Sequence, residues 1–337
     1  MHKNLYYNQP FTLDCGETLP ALEIAYDTWG TLNEERDNVV WVCHGLTASA
    51  DVSDWWPHTV EAGRFLDPER QFVVCVNMLG SCYGTTGPLS VNPATGQPWY
   101  ADFPCVTVRD QMRLFQIVAR HLGIRKVRKL VGSSIGGFVA IEWLVVEPEF
   151  FSEAVLVATA AKVSPWTSAF NESQRMAIEA DPTWGEPSSE AAQRGLSAAR
   201  SIALLSYRGR AAYNLTQQDD SEELVRRRVN SYQRHQGEKL VRRFNAYSYY
   251  RLSQTLDTHD VGRGRGGIEA ALSCVKLPVL VVSVSSDLLF PPVEMKAWAQ
   301  YLPQHKYIEI TSDFGHDGFL VETEKLNDII LDNNRYQ

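Results

Sequence analysis

Short apolar runs alternate with helical patterns along most of the chain. The apolar runs are nearly continuous, which is typical of strands buried on both faces of a sheet. Six runs are predicted to be strands, at residues 38–43, 71–76, 127–131, 154–158, 278–284 and 307–311. Because strands separated by helices favour parallel pairing with crossover connections, the pattern predicts an α/β fold with a mostly parallel central sheet.

One helix between these strands has clear start and stop signals. Thr107 and Asp110 have the spacing of a capping box, and the apolar residues that follow keep a helical period up to Leu122. Gly123 follows as a helix stop. We expect this helix to pack its apolar face on the sheet.

The pattern changes between about residues 165 and 270. Strand-like runs disappear there, and charged helical stretches such as 222–228 and 239–243 take their place. We predict a core domain of residues 1–164 and 271–337 and a helical lid subdomain of residues 165–270 over the carboxyl edge of the sheet. The run GRGRGG at 262–267 follows no strand, which favours a flexible turn over a phosphate-binding loop.

Composition and charge exclude several classes of protein. The chain has 337 residues, is 44% hydrophobic and carries a net charge of −8. It has no broad excess of Lys and Arg to neutralise phosphates, so we expect no nucleic-acid partner, and any anionic substrate needs a local basic pocket. Without a long apolar span or a signal sequence, we expect a cytoplasmic protein with no membrane attachment. The scattered cysteines show no metal-ligand spacing, and no metal is expected.

The strongest local signal is the run GSSIGG at 132–137, which follows a predicted strand and leads into an apolar helix. This setting is that of a nucleophile elbow, whose tight turn requires small residues two before and two after the nucleophile. Gly132 and Gly136 meet that requirement and place Ser134 at the centre. The alternative is an ordinary Gly/Ser turn between a strand and a helix, which is also common.

Two further residues complete the pattern. Asp287 comes just after the strand at 278–284, and His316 follows the strand at 307–311. Asp287 alone could be a turn residue and His316 alone a loop histidine. The order Ser134, acid, histidine is the order of a catalytic triad on an α/β-hydrolase fold, and that fold is the prediction.

Each predicted residue has a defined chemical role. A serine hydroxyl needs a base to become a useful nucleophile, and His316 would take its proton and return it to the leaving group. Asp287 would orient the imidazole and stabilise its cation.

The tetrahedral intermediate needs donors for its oxyanion, each contributing about 3–4 kcal/mol. We predict the backbone N–H of Ile135 and that of Leu46, in the loop after the strand at 38–43. His44 is interpreted as structural.

Several runs resemble the homoserine O-acetyltransferase family over nearly the whole chain. They are HGLT at 44–47, GSCYGTTGP at 80–88, GSSIGG at 132–137, LSAAR at 196–200, HDVGRGRGG at 259–267, SDLLFPP at 286–292 and GHDGFL at 315–320. The second and fifth runs are absent from generic esterases of this fold.

The resemblance implies a ping-pong reaction. Acetyl-CoA, a substrate rather than a cofactor, would acylate the serine, and L-homoserine would then take the acetyl group for methionine synthesis. It also implies that Arg200 and Asp317 hold the amino acid, that Tyr207 supports that end of the pocket and that the protein is a homodimer. Arg263 and Arg265 are candidates for the CoA phosphates.

The sequence departs from the family at the nucleophile turn. Ser133 and Ile135 stand where the family usually has Gly and Met, and Ala48 and Ser49 stand where it has Gly and Asp. These changes spare the backbone donors but leave the shape of the pocket open. A succinyl donor, a serine acceptor, an esterase or thioesterase activity, and a non-catalytic binding protein therefore remain alternatives.

Overall fold

A central sheet organises the computed structural model, which describes residues 2–219, 224–225 and 227–335, with side chains up to residue 333. Eight strands of the described residues form it: β1 (His2–Tyr7), β2 (Leu22–Trp29), β3 (Val39–Cys43), β4 (Phe72–Val76), β5 (Val127–Ser133), β6 (Phe151–Val157), β7 (Val279–Val284) and β8 (His305–Ile310). Two short hairpins pair Phe11–Thr12 with Thr18–Leu19 and Val91–Asn92 with Gln97–Pro98.

The strand order in the sheet is β1-β2-β4-β3-β5-β6-β7-β8. Strand β2 runs antiparallel to both of its neighbours, and every pair from β4 to β8 is parallel. The predicted mostly parallel sheet is confirmed, and the six predicted strands correspond to β3–β8. The sequence patterns did not reveal β1 and β2.

Helices connect the strands and cover both faces of the sheet. They are α1 (Val52–Trp55), α2 (Val108–His121), α3 (Ile135–Val146), α4 (Pro165–Glu179), α5 (Gln193–Tyr207), α6 (Arg210–Thr216), α7 (Arg228–Val241), α8 (Ala246–Asp257), α9 (Ile268–Leu272), α10 (Pro292–Ala299), α11 (Gly318–Val321) and α12 (Thr323–Arg335). Short 3-10 turns span Tyr100–Asp102, Pro148–Phe150 and Gly315–Asp317. None of the helices in the described residues has both the length and the apolar character needed to cross a bilayer.

Helix α2 begins and ends at its predicted signals. The Thr107 hydroxyl accepts the N–H of Asp110, and the Asp110 carboxylate accepts the N–H of Thr107, so the capping box is present. The chain leaves the helix through Gly123, whose φ of 65° favours glycine. Both predictions are confirmed.

The core lies on both faces of the sheet, which explains the continuous apolar runs. On one face Trp41 of β3 packs against Phe115 of α2 and Trp143 of α3, with ring centroids 5.9 and 5.0 Å apart. On the other face Trp56 meets Phe319 at 6.1 Å. Alternate residues of β3 belong to the hydrophobic clusters on the two faces of the sheet, so each position of the strand is buried.

Helices α4 to α8 occupy the segment predicted as a lid, and no strand of two or more residues lies among its described residues. Of the helical stretch predicted at 222–228, residues 222, 223 and 226 lie outside the described residues, 224, 225 and 227 are not helical, and α7 begins only at Arg228. The stretch at 239–243 is the end of α7 and the turn after it. Residues 262–266 form turns as expected. The division into core and lid subdomains stays a prediction.

Candidate active site

Ser134 lies in the turn between β5 and α3 with a strained backbone. Its φ of 54° and ψ of −130° fall in a region that costs a non-glycine residue about 1–3 kcal/mol. The surrounding chain holds this conformation, because the N–H of Ser134 donates to the carbonyl of Val157 at 3.1 Å and Thr159 donates to the carbonyl of Ser134 at 2.8 Å. The turn presents the hydroxyl at the carboxyl edge of the sheet.

The two glycines flanking Ser134 are required by close backbone approach. A Cβ at Gly136 would lie 2.0 Å from the carbonyl oxygen of Cys43, and a Cβ at Gly132 would lie 2.7 Å from the carbonyl oxygen of Gly136. No flexible side chain can move aside to relieve either backbone contact. Both positions therefore require glycine, as the tight turn around the nucleophile predicts.

His316 lies between the serine and the acid. Its Nε2 is 2.9 Å from Ser134 Oγ, and its Nδ1 is 2.8 Å from Asp287 Oδ2. Because a carboxylate only accepts, Nδ1 carries the proton and leaves Nε2 free to accept the serine hydroxyl. The structure thus brings together the three residues that the sequence places in a triad.

Asp287 is oriented by the turn after β7. Its Oδ1 accepts the N–H groups of Leu289 at 2.8 Å and Phe290 at 3.0 Å, which leaves Oδ2 for the imidazole. The carboxylate is buried and fixed by these contacts. It can hold one ring orientation and stabilise an imidazolium that forms beside it.

The electrostatics of His316 reflect two opposing effects. Burial lowers the pKa of His316, because the imidazolium loses hydration, but the charge of Asp287 and its hydrogen bond raise it more. The net result is a pKa raised above the ordinary value of 6.5.

This raised pKa sets the expected pH dependence of catalysis. Only neutral His316 can accept the serine proton, so kcat/KM falls as pH drops through a pKa above 6.5. Steady-state rates measured from about pH 5 to 8 with saturating acceptor check this result. A profile that stays flat over that range would remove His316 from the role of base.

Leu46 and Ile135 are the two residues whose backbone N–H groups are predicted to bind the oxyanion. Ile135 is the first residue of α3, where N–H groups have no partner within the helix. Leu46 lines the same cavity as Ser134. Their role as oxyanion donors stays a prediction.

His44 holds the loop that contains Leu46. Its Nδ1 donates to the carbonyl of Gly45 at 2.8 Å, and its Nε2 accepts the N–H of Met78 at 3.3 Å. Burial lowers the pKa of His44 to about 4, so the ring is neutral. These contacts support the structural interpretation of His44.

A cavity of about 500 Å³ opens beside the triad and contains the predicted substrate residues. Arg200, Tyr207 and Asp317 line it together with Ser134 and His316. The guanidinium of Arg200 lies 5.5 Å from the Tyr207 ring centroid, and that ring lies 5.9 Å from the His316 ring. The structure therefore brings all three to the site, while their contacts with substrate stay a prediction.

Asp317 has a partner that the sequence analysis missed. Arg208 Nε lies 2.9 Å from Asp317 Oδ2. Burial raises the pKa of Asp317, and the nearby charges of Arg208 and Arg200 partly offset the shift. The only sequence signal for Arg208 was its position directly after Tyr207.

Arg263 and Arg265 do not line this cavity. Arg263 forms an ion pair with Asp14, and Arg265 forms one with Glu142. The resemblance gave no means of seeing these pairings, because the partners lie far away in sequence. The two arginines are engaged in the fold rather than available to a ligand.

No group of three or more His, Cys, Asp or Glu side chains in the described residues is arranged to hold a metal ion. The site contains a serine hydroxyl, an imidazole and a carboxylate in a hydrogen-bonded series. Such a series can form and break an acyl-serine.

Comparison with known proteins agrees with this geometry. Residues 38–323 match the family described as alpha/beta hydrolase fold. The homoserine O-acetyltransferase of Cyclobacterium marinum is 44% identical over 333 residues, covering 98% of this chain and 95% of the relative. That of Chlorobium luteolum is 41% identical, covering 98% and 93%. The crystal structure of homoserine O-acetyltransferase from Bacillus anthracis superposes with a TM-score of 0.92 at 25% identity, covering 98% and 96%. The chain belongs to the homoserine O-acetyltransferase family of the α/β-hydrolase fold.

Proposed function

We propose that the protein transfers an acetyl group from acetyl-CoA to the hydroxyl of L-homoserine through an acyl-Ser134 intermediate, a step of methionine biosynthesis. The observation that carries the proposal is the hydrogen-bonded series Ser134–His316–Asp287 beside a cavity that also contains Arg200 and Asp317. Family membership supports both the donor and the acceptor.

The first half-reaction uses the three hydrogen-bonded residues. His316 Nε2 removes the proton from Ser134 Oγ as the oxygen attacks the thioester carbonyl. The N–H groups of Ile135 and Leu46 would receive the oxyanion. Collapse of the intermediate breaks the C–S bond, and His316 returns the proton to the departing CoA thiolate.

The second half-reaction runs in the opposite sense. His316 removes the proton from the homoserine hydroxyl, whose oxygen attacks the acyl-serine, and Ser134 leaves with the proton. Arg200 would hold the substrate carboxylate through paired hydrogen bonds, and Asp317 would pair with the ammonium. Arg208 would keep Asp317 ionised and in place.

Replacing Arg200 with alanine should weaken the second half-reaction alone. The variant loses the contact between the half-buried guanidinium and the substrate carboxylate. The activation free energy for homoserine should therefore rise by about 2 kcal/mol, and kcat/KM should fall roughly thirtyfold. Burst-phase CoA release, which reports acylation of Ser134, should keep its amplitude. Rapid-quench kinetics separate the two steps.

Arg194→Ala is the matched control for this variant. Arg194 lies on the same helix α5 but does not line the cavity. It should behave like the unchanged protein. If Arg200→Ala instead lost acylation and kept its affinity for homoserine, Arg200 would belong to the donor side.

The proposal is tested by a panel of donors and acceptors read by mass spectrometry. Acetyl-CoA and succinyl-CoA are each mixed with homoserine, with serine or with neither. O-acetyl-homoserine is the expected main product. CoA release that proceeds at the same rate without homoserine would indicate a hydrolase and refute the proposal.

Three further statements remain predictions that rest on the chain's sequence and its family resemblance. They are the lid subdomain of residues 165–270 over the site, assembly as a homodimer and a cytoplasmic location. Sedimentation velocity tests the second, with a dimer expected at twice the 38.0 kDa of one chain. A lid would shield the acyl-serine from water, which a transferase requires.

A further inference from the structure

The cavity beside Ser134 carries a local positive charge in an acidic protein. Two acidic residues line it, Asp54 and Asp317, against four cationic residues: Arg200, Arg208, Lys239 and Arg243. The chain as a whole has a net charge of −8. A basic lining of this kind attracts an anionic ligand that the overall charge would repel.

Two of these cations lie apart from the amino-acid end of the cavity. Arg200 and Arg208 lie close to Asp317 at the buried end of the cavity. Lys239 and Arg243 are exposed and lie at the outer rim of the same cavity. The amino-acid substrate needs the first pair, so the outer rim is left for another ligand.

The outer rim is built by one stripe of α7 and the turn after it. Gln236, Lys239, Leu240 and Arg243 all line the cavity, and their spacing of three and four residues places them on one helical face. Leu240 is buried and anchors that face to the core. Lys239 and Arg243 are therefore presented side by side toward the opening.

Arg243 is held in place without being neutralised. Its guanidinium donates to the carbonyl of Thr47 at 2.5 Å and to the hydroxyl of Tyr83 at 2.6 Å, and both acceptors are uncharged. Tyr83 belongs to the run GSCYGTTGP at 80–88, for which the reaction steps give no role. Thr47 directly follows Leu46, so the cation is tied to the loop beside the nucleophile.

Neither cation has an acidic partner in the described part of the chain. Arg243 and Lys239 are within ion-pair distance of no carboxylate there, and Lys239 makes no hydrogen bond there either. Their neighbour Arg242 differs, because it lies 3.9 Å from Glu238 and does not line this cavity. The fixed guanidinium of Arg243 and the ammonium of Lys239, unpaired among the described residues, lie at one opening of the cavity. Together they suit a ligand with phosphate groups.

We propose that Lys239 and Arg243 form the binding site for the phosphate groups of the acyl donor, so that its thioester arm extends inward to Ser134. The proposal rests on the proposed function, because it assumes that the donor is a CoA thioester. It assigns the GSCYGTTGP run a positioning role, with Tyr83 holding Arg243 at the rim. The phosphates stay exposed to solvent, and the thioester arm with its acyl group enters the site.

The test compares acetyl-CoA with acetyl-pantetheine, which carries the same thioester without phosphates. Lys239→Gln should raise KM for acetyl-CoA about threefold, as for an exposed ion pair, and Arg243→Gln about tenfold, as for a charge-assisted pair. KM for acetyl-pantetheine should not change in Lys239→Gln, which loses no contact within the described chain. Arg242→Gln, the matched control, should change neither value.

Unchanged KM values for acetyl-CoA in both variants would overturn the proposal, and so would equal rises for the two thioesters in Lys239→Gln. Calorimetric titration of CoA without acceptor separates this result from a failure of the proposed function. Weaker CoA binding in Lys239→Gln and Arg243→Gln, but not in Arg242→Gln, supports the site even if no acetyl group is transferred. Equal CoA affinity in all of them contradicts it.

Discussion

Replacing Ser134 with alanine lowers the rate of acetyl transfer by about a millionfold, the loss expected when a serine nucleophile is removed. The hydroxyl of Ser134 lies 2.9 Å from the imidazole of His316, and no other hydroxyl in the described residues has that contact. The residual rate should come from binding and from the predicted oxyanion donors. Continuous measurement of CoA release at saturating acetyl-CoA and homoserine gives the comparison.

Ser133→Ala is the matched control for Ser134→Ala. Ser133 precedes the nucleophile, is buried at the end of β5 and has a hydroxyl with no hydrogen-bond partner in the described structure. Its removal should leave the rate near that of the unchanged protein. If Ser133→Ala lost most of its activity and Ser134→Ala stayed active, Ser133 rather than Ser134 would be the nucleophile.

Replacing Asp287 with asparagine lowers kcat by about ten-thousandfold. An asparagine oxygen can still accept from Leu289 and Phe290, so the turn is preserved. The amide cannot stabilise the imidazolium and can donate to His316, which favours the wrong tautomer. Because Asp287 raises the pKa of His316, the acid limb of kcat/KM should also move to lower pH.

Asp313→Asn is the control for Asp287→Asn, since Asp313 lies in the loop just before His316 with an exposed side chain. It should change neither kcat nor the pH profile. If Asp287→Asn lost less than about tenfold in kcat, orientation by Asp287 would not be part of the mechanism.

The sequence predicted the parts of the fold that depend on uniform burial. Strands β3–β7 are mostly buried on both faces, and their apolar runs made them visible. Strand β1 lies at the edge of the sheet, alternates between exposed and half-buried residues and contains few apolar residues. Its pairing with β2 is a long-range contact, and the local pattern carries no information about it.

The sequence located the candidate catalytic residues after strands at the carboxyl edge of the sheet, and the structure brings their side chains together. What it missed are contacts between side chains that chain order does not predict. Arg208 reaches Asp317 across 109 residues of sequence, and Arg243 reaches Thr47 across 196. Arg263 and Arg265 were candidates for phosphate binding because the sequence does not show that both form ion pairs within the fold.

The proposed mechanism requires Ser134 to carry the acetyl group between donor and acceptor. Peptide mass spectrometry after mixing the protein with acetyl-CoA, without homoserine, tests it most directly. We expect one acetyl group on the peptide that contains Ser134, and we expect it to disappear when homoserine is added. Formation of O-acetyl-homoserine with no acetyl group ever trapped on Ser134, or with the group trapped on another residue, would contradict it.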